Sequence, residues 1–413
     1  MYKSKYIFLP VIVILYFVLF FKFNSIRWWE ISSDYRFLLT EGFFIAGMLL
    51  YNSQNKDKVL YPLLFKILFG LIIVNCITCL YFRHQSIDVS LLGWESFFLL
   101  FFYPCLRKWN FSVRDWEKIV FSVYCIILII YIYMNIFPTS KLFVLDKDLS
   151  IFSSELRVRV YSDAILFIGT LYAWNKFLVN RKKVLLLLFV ISSFIIFLQG
   201  YRILIAAMLL VSIILYYRVL GFTRYSITIF AIMVVVISVL QAVPIVQDKI
   251  TEISDRTEKD NYDADDAVRF LDLAYVYSDH FHNEMELIAG SGMPVLSLSK
   301  DKLSGEISVK KGFSKYSSEM SYLAATRHFF TVDLGILGLS WVAGIPFTLA
   351  FVWLLIKVIK EKVSKEYYYI GMYALMILVA GMTNAISYKH HNLIYLAVLL
   401  VILDKVRAPK ANS

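Results

Sequence analysis

Apolar residues in this chain come in blocks of roughly 16 to 24 positions, separated by short charged stretches. The blocks have no amphipathic period, so they do not read as helices half-buried in a soluble core. A bilayer core about 30 Å thick needs about 20 helical residues to cross it. Without water there, each spanning backbone must satisfy its own hydrogen bonds, which a helix does. Barrel strands alternate in polarity and run to about 10 residues, so the pattern excludes a β-barrel. It predicts an all-α polytopic membrane protein of about twelve transmembrane helices: 6–22, 37–52, 60–82, 91–106, 119–137, 161–180, 184–200, 203–220, 226–245, 329–356, 369–387 and 391–404. Lys3 and Lys5 precede the first block as in a signal peptide. No small-residue cleavage site follows, and it reads as an uncleaved first helix. The last block is the shortest.

Charge orders these helices. With the N-terminus in the cytoplasm, about 20 Lys and Arg residues fall in the inner segments and about 10 in the short outer ones. That bias predicts both termini inside. It divides the chain into helices 1–9 over 1–245, an extracytoplasmic loop over 246–328 between helices 9 and 10, and helices 10–12 over 329–413. The loop holds about 15 of the 31 acidic residues. It begins as a solvated acidic tract and becomes amphipathic over 267–281, where Val268, Leu271, Tyr275 and Ser278 share a helical face. A glycine turn, AGSGMP, follows at 289–294. A folded, partly helical cap is expected.

Composition agrees with a membrane protein: 59% of the 413 residues are hydrophobic and 18% charged, and mean hydropathy is +0.67. The formal charge of +11 is scattered between apolar blocks, which excludes a nucleic-acid partner and fits orientation in a bilayer. Cys76, Cys79, Cys105 and Cys125 lie in or at the ends of apolar blocks. The Cys76/Cys79 pair has no second Cys/His pair and reads as buried small hydrophobes. His84, His280, His282, His328, His390 and His391 all fall on the outer side, so any chemistry is expected to face outward.

Candidate chemistry rests on a few cations. Arg202 sits between two spans with almost no loop, on the outer side, against the charge trend. Such an arginine either snorkels or meets an anion, and its planar fork suits a phosphate. Arg327 and His328 end the loop as the next helix begins, followed by Asp333, Gly335 and Gly338. An interfacial histidine can serve as a general base or a hydrogen-bond donor, or be structural. Arg269 lies in VRFLDLAYVYSDHFHNEMELIAGSGMP. There His280, His282, Glu284 and Glu286 have no metal-site spacing, so no metal is expected. Arg157 and Arg159 could help an anionic ligand enter, or form a solvated cluster with Arg83. Glu41, Lys66, Glu95 and Asp163 are charges in or near spans without an assignable role. No P-loop, dinucleotide fingerprint or ATPase motif is present, and no cofactor is expected.

Three segments together resemble the O-antigen polymerase and O-antigen ligase superfamily of bacterial envelopes: QGYR before an apolar helix, the loop segment just quoted with its glycine turn, and RHFFTVDLGILGL. Where that family often shows His-Asn in the third segment, His328 is followed by Phe329. The resemblance implies a metal-independent, inverting, C-type glycosyltransferase in the bacterial cytoplasmic membrane. It would transfer glycan from an undecaprenyl-diphosphate-linked donor to a lipid-linked acceptor. It implies Arg202 as the diphosphate ligand and His328 at the reacting centre. Arg269 and Arg327 become secondary anion contacts. A flippase and a chain-length regulator are the further partners it suggests. Fixed guanidinium groups can stabilise the charge growing on a diphosphate leaving group without a metal.

Polymerisation of repeat units into O-antigen, capsule or exopolysaccharide is the leading expectation. The alternatives are a ligase of the same superfamily and a twelve-helix transporter or flippase, which would bind at the midplane with broken helices and internal repeats. The topology has a direct test. A cysteine introduced by Ser304→Cys should react with a membrane-impermeant reagent on intact cells; protection until lysis would reverse the orientation.

Overall fold

The computed structural model describes residues 60–109, 111–137, 163–198, 202–221, 284–292, 335–382 and 390–407. All regular structure among these residues is helical. In chain order the helices are α1 Pro62–Arg83, α2 Ile87–Gly93, α3 Glu95–Phe98, α4 Tyr103–Arg107, α5 Val113–Ile136, α6 Asp163–Asn180, α7 Lys183–Leu198, α8 Arg202–Leu220, α9 Glu284–Ala289, α10 Gly335–Ala343, α11 Ile345–Lys360, α12 Tyr368–Gly381 and α13 His390–Arg407. Three stretches, Pro62–Arg83, Val113–Tyr133 and Ile203–Leu220, are long and apolar enough to cross a membrane. Faces that fit lipid are exposed on α1 and on the shorter apolar helix α7. Leu63, Ile73, Ile77 and Tyr81 on α1, and Val184, Leu187, Val190 and Phe194 on α7, are exposed apolar side chains at helical spacing. In water such faces would be a large unburied patch. These are the features of a membrane protein.

The predicted boundaries hold for 60–82, 119–137, 161–180, 184–200 and 203–220 to within a few residues at most ends. Two other blocks are not single helices. The block at 91–106 is interrupted: α2 stops at Gly93, Leu99–Phe102 is a 3₁₀ turn, and α4 restarts at Tyr103. Pro104 explains the tight turn, because its missing N–H removes a helical bond to the residues before it. The block at 329–356 is split at Gly344, whose φ of 87° lies in the left-handed region, and Pro346 starts the next helix. The blocks at 6–22, 37–52 and 226–245, and most of the 246–328 loop, lie outside the described residues.

The shortest predicted block forms the centre. α13 runs 18 residues, and from Leu393 to Leu403 its hydrophobic side chains are at most 1% exposed. It packs against α3, the 3₁₀ turn, α4, α5, α6 and α12. Its polar ends are paired. Tyr373 donates to Asn392 Oδ1 at 3.0 Å, and Asp404 accepts from Tyr103 at 3.1 Å and from Arg107. Surrounded by protein rather than lipid, this helix tolerates the polar residues that make its sequence signal weak.

Polar contacts tie the helices together at one end of the bundle. Lys176 on α6 bonds Glu117 on α5 at 2.8 Å and reaches Glu366 at 4.0 Å. Tyr369 donates to the same Glu117 carboxylate at 3.3 Å, and Lys176 lies 4.9 Å from the Tyr367 ring centroid. Burial and the carboxylates of Glu117 and Glu366 push the Tyr367 phenol above its ordinary range. Lys365 donates to Val219 O at 2.8 Å, and Arg218 to Ile359 O at 3.3 Å. Glu361 accepts from Tyr61 at 2.7 Å and from Arg407 at 3.1 Å. Of the described Lys and Arg residues, only Arg83 and Arg202 stand at the other end.

Breaking the buried pair is expected to be costly. Lys176→Met should lower stability by about 3–5 kcal/mol by stranding the Glu117 carboxylate. The double variant Glu117→Gln/Lys176→Met should recover most of the loss. Thermal melting in detergent measures both.

Candidate functional site

At the end of the bundle away from the lysines, residues 284–292 pack against the helices. α9 leads into Ala289–Gly290–Ser291–Gly292, the glycine turn expected from the sequence. It is buried. It fills the break between α10 and α11. Ser291 N donates to Trp341 O and Gly292 N to Val342 O, both at 3.0 Å. Those carbonyls belong to the last turn of α10, where a helix leaves its C=O groups without internal partners. The turn supplies what the next helical turn would have supplied.

Asn75, in the middle of α1, closes the arrangement from the side. Its amide donates to Val342 O at 3.1 Å and also to Ala289 O. Its own oxygen accepts from Trp94 Nε1 at 2.9 Å. One fully buried side chain thus joins α1, the broken 87–107 run, the loop turn and α10. The position eight residues before Arg83 puts this junction about 12 Å along the helix from that end. Trp94 and Phe97 then pack edge-on against Phe347 of α11, with ring centroids at 4.7 and 5.0 Å. The two interrupted runs therefore face each other through an aromatic contact.

Two glycines make the close approach possible. Gly290 has φ 81° and Gly344 φ 87°. A Cβ on Gly290 would meet Gly344 N at 2.5 Å and Ala343 C at 2.6 Å; one on Gly344 would meet Gly290 N at 2.9 Å. These are backbone atoms and cannot rotate away, so each position excludes a side chain on both counts. Cys79, buried one turn beyond Asn75, lies against Gly292. That is the packing role expected for the cysteines at 76 and 79.

Arg202 is the first residue of α8, at this same end of the bundle. Arg157, Arg159, Arg269, Arg327 and His328 lie outside the described residues, and so does the convergence expected of Arg202, Arg269, Arg327 and His328. His390 and His391 open α13, and His84 closes α1 as an exposed left-handed cap. Among the described residues no group of three His, Cys, Asp or Glu side chains could hold a metal ion.

Asn75 was not singled out by the sequence. A lone Asn inside LIIVNCITCL is a signal in hindsight, since a polar amide in an apolar span needs partners. Comparison with known protein families finds no match, and comparison with curated proteins finds none either.

Asn75→Ala would leave Ala289 O, Val342 O and the Trp94 N–H short of a partner. It should destabilise the protein by about 2–3 kcal/mol. Gly344→Ala should release the loop turn altogether. Faster protease cleavage within 246–328 in both variants, against wild type, would report it.

Proposed function

We propose that the chain polymerises undecaprenyl-diphosphate-linked oligosaccharide repeat units into surface polysaccharide, by metal-independent glycosyl transfer at the outer face of a bacterial cytoplasmic membrane. The observation that carries this reading is the docking of two segments that bear the family resemblance. The glycine turn ending the Arg269 segment is hydrogen-bonded to the helix that continues from the Arg327–His328 segment. The bonded residues are 50 positions apart in sequence, and their union is what a shared site would require. Arg202, from the remaining segment, opens its helix at the same end.

The reading extends to twelve helices with both termini cytoplasmic and 246–328 outside. The clustering of lysines and arginines at the end opposite Arg202 supports it through the positive-inside rule. Arg202 binds the donor diphosphate, and His328 acts at the reacting centre as base or hydrogen-bond donor. Arg269, Arg327, Arg157 and Arg159 contribute further positive charge along the path of the anionic lipid. Growing negative charge on the leaving diphosphate is met by guanidinium groups already in place.

A second reading has a specific observation in its favour. Two interrupted helical runs in contact are the kind of element from which transporters build midplane sites, which would fit a flippase of lipid-linked oligosaccharide. Against it, the carbonyls Trp341 O and Val342 O at the Gly344 break are taken up by the loop turn and Asn75. In a transporter site such groups would be left to coordinate cargo.

Glycan length on a gel, from a strain lacking its own copy and complemented with each variant, separates the readings. Arg202→Ala should abolish chain extension while the protein stays in the membrane. Arg202→Lys, which keeps the charge but loses the planar fork, should remain severely impaired. His328→Ala should lower activity, and chelator should not affect the wild type. Full-length polymer from well-expressed Arg202→Ala would overturn the assignment of Arg202 and favour transport.

A further inference from the structure

Away from the proposed reaction centre, a cavity of about 650 Å³ opens at the lysine-rich end between α5, α6 and α7. Its wall is apolar, formed by Phe121, Leu185 and Leu188. Its rim carries Lys182 and Lys183, both exposed, and Lys176 lines it from α6. No described carboxylate lines it; Glu117 behind it is already paired to Lys176 at 2.8 Å. The cavity therefore presents an excess of positive charge above a greasy wall.

The cations are held in place by backbone geometry. α6 ends with Arg181 in the left-handed region at φ 58°, and its N–H donates to Phe177 O at 2.8 Å. Only Arg181 and Lys182 separate α6 from α7. So tight a turn fixes where the lysines leave the backbone, and it adds Arg181 beside them. Val184, Leu187, Val190 and Phe194 continue down α7 as an exposed apolar face below the lysines. Charged rim and apolar flank thus adjoin, the order in which a phospholipid presents its headgroup and acyl chains.

We infer that this cavity binds an anionic phospholipid of the surrounding membrane, its phosphate between Lys182 and Lys183 and its acyl chains on Leu185, Leu188 and the exposed face of α7. A zwitterionic lipid would bring an ammonium into a rim that already has surplus cations. A lipid bearing one phosphate and no ammonium complements it. The site does not depend on the glycosyl-transfer reading, because it lies at the opposite end of the bundle from Arg202.

The test is native mass spectrometry of the full-length protein in detergent, titrated with phosphatidylglycerol or phosphatidylcholine. Phosphatidylglycerol should be retained preferentially. The exposed double variant Lys182→Gln/Lys183→Gln should hold it about thirtyfold more weakly. Lys360→Gln/Lys362→Gln, which removes the same charge from the same end outside the cavity, should behave as wild type. If the Lys182/Lys183 variant does not purify, Leu188→Trp fills the wall with every lysine intact and should also lose the lipid. Equal retention of phosphatidylcholine, equal loss in the two double variants, or complete displacement by millimolar inorganic phosphate would each overturn the inference.

Discussion

A helix that ends inside an apolar bundle must find partners for its last carbonyl groups, because neither water nor lipid supplies them. α10 ends this way at Ala343, and much of the fold near it follows from how the need is met. Ser291 and Gly292 donate from the loop, Asn75 donates from α1, and Trp94 holds Asn75 in orientation. The approach is close enough that Gly290 and Gly344 both forgo a side chain. A segment 50 residues upstream is thereby built into the helical core.

The other end of the bundle solves a different problem. Charged residues cluster there, and several are pulled partly inside: Lys176 with Glu117, Arg107 with Asp404, and Arg407 with Glu361. Each pair joins two different elements, and Arg107 and Asp404 lie 297 positions apart in the chain. Buried pairs add little net stability but strongly disfavour arrangements that separate the partners. They act here as registry devices for α4, α5, α6, α11 and α13, while apolar packing of α13 against its neighbours supplies the bulk contact. Where the charges are surplus, around Lys182 and Lys183, they stand over an apolar cavity rather than a carboxylate.

On the proposed reading, the two ends divide the labour. The lysine-rich end fixes orientation and holds the helices in register. The opposite end joins the Arg269 segment to the helix that follows His328. The loop turn itself is anchored through backbone hydrogen bonds, Ser291 N to Trp341 O and Gly292 N to Val342 O. A rigid attachment also limits the wandering of catalytic groups on a loop, which matters when a diphosphate must be met by fixed charges.

How much of this was legible beforehand depended on whether the signal was local. Block length alone predicted α1, α5, α6, α7 and α8, because crossing a fixed apolar thickness sets a helix length that composition reveals directly. The clustering of lysines and arginines at one end of the bundle followed from the same reading. The interruptions at Gly93–Pro104 and Gly344 were marked by residues that break helices, yet in an unbroken apolar block they could not be told from tolerated kinks. For the junction at Gly344, residue chemistry picked out the glycine turn. It missed Asn75, two of whose partners, Ala289 and Val342, are more than 200 positions away in the chain. The sequence determined that this is a helical membrane protein and where α1, α5, α6, α7 and α8 run, since those properties depend on neighbours along the chain. Only tertiary structure decided that a weakly apolar final block lies at the centre, and that a loop glycine turn completes a broken helix. Both outcomes turn on which distant groups satisfy buried polar atoms, and that is not written in any local pattern.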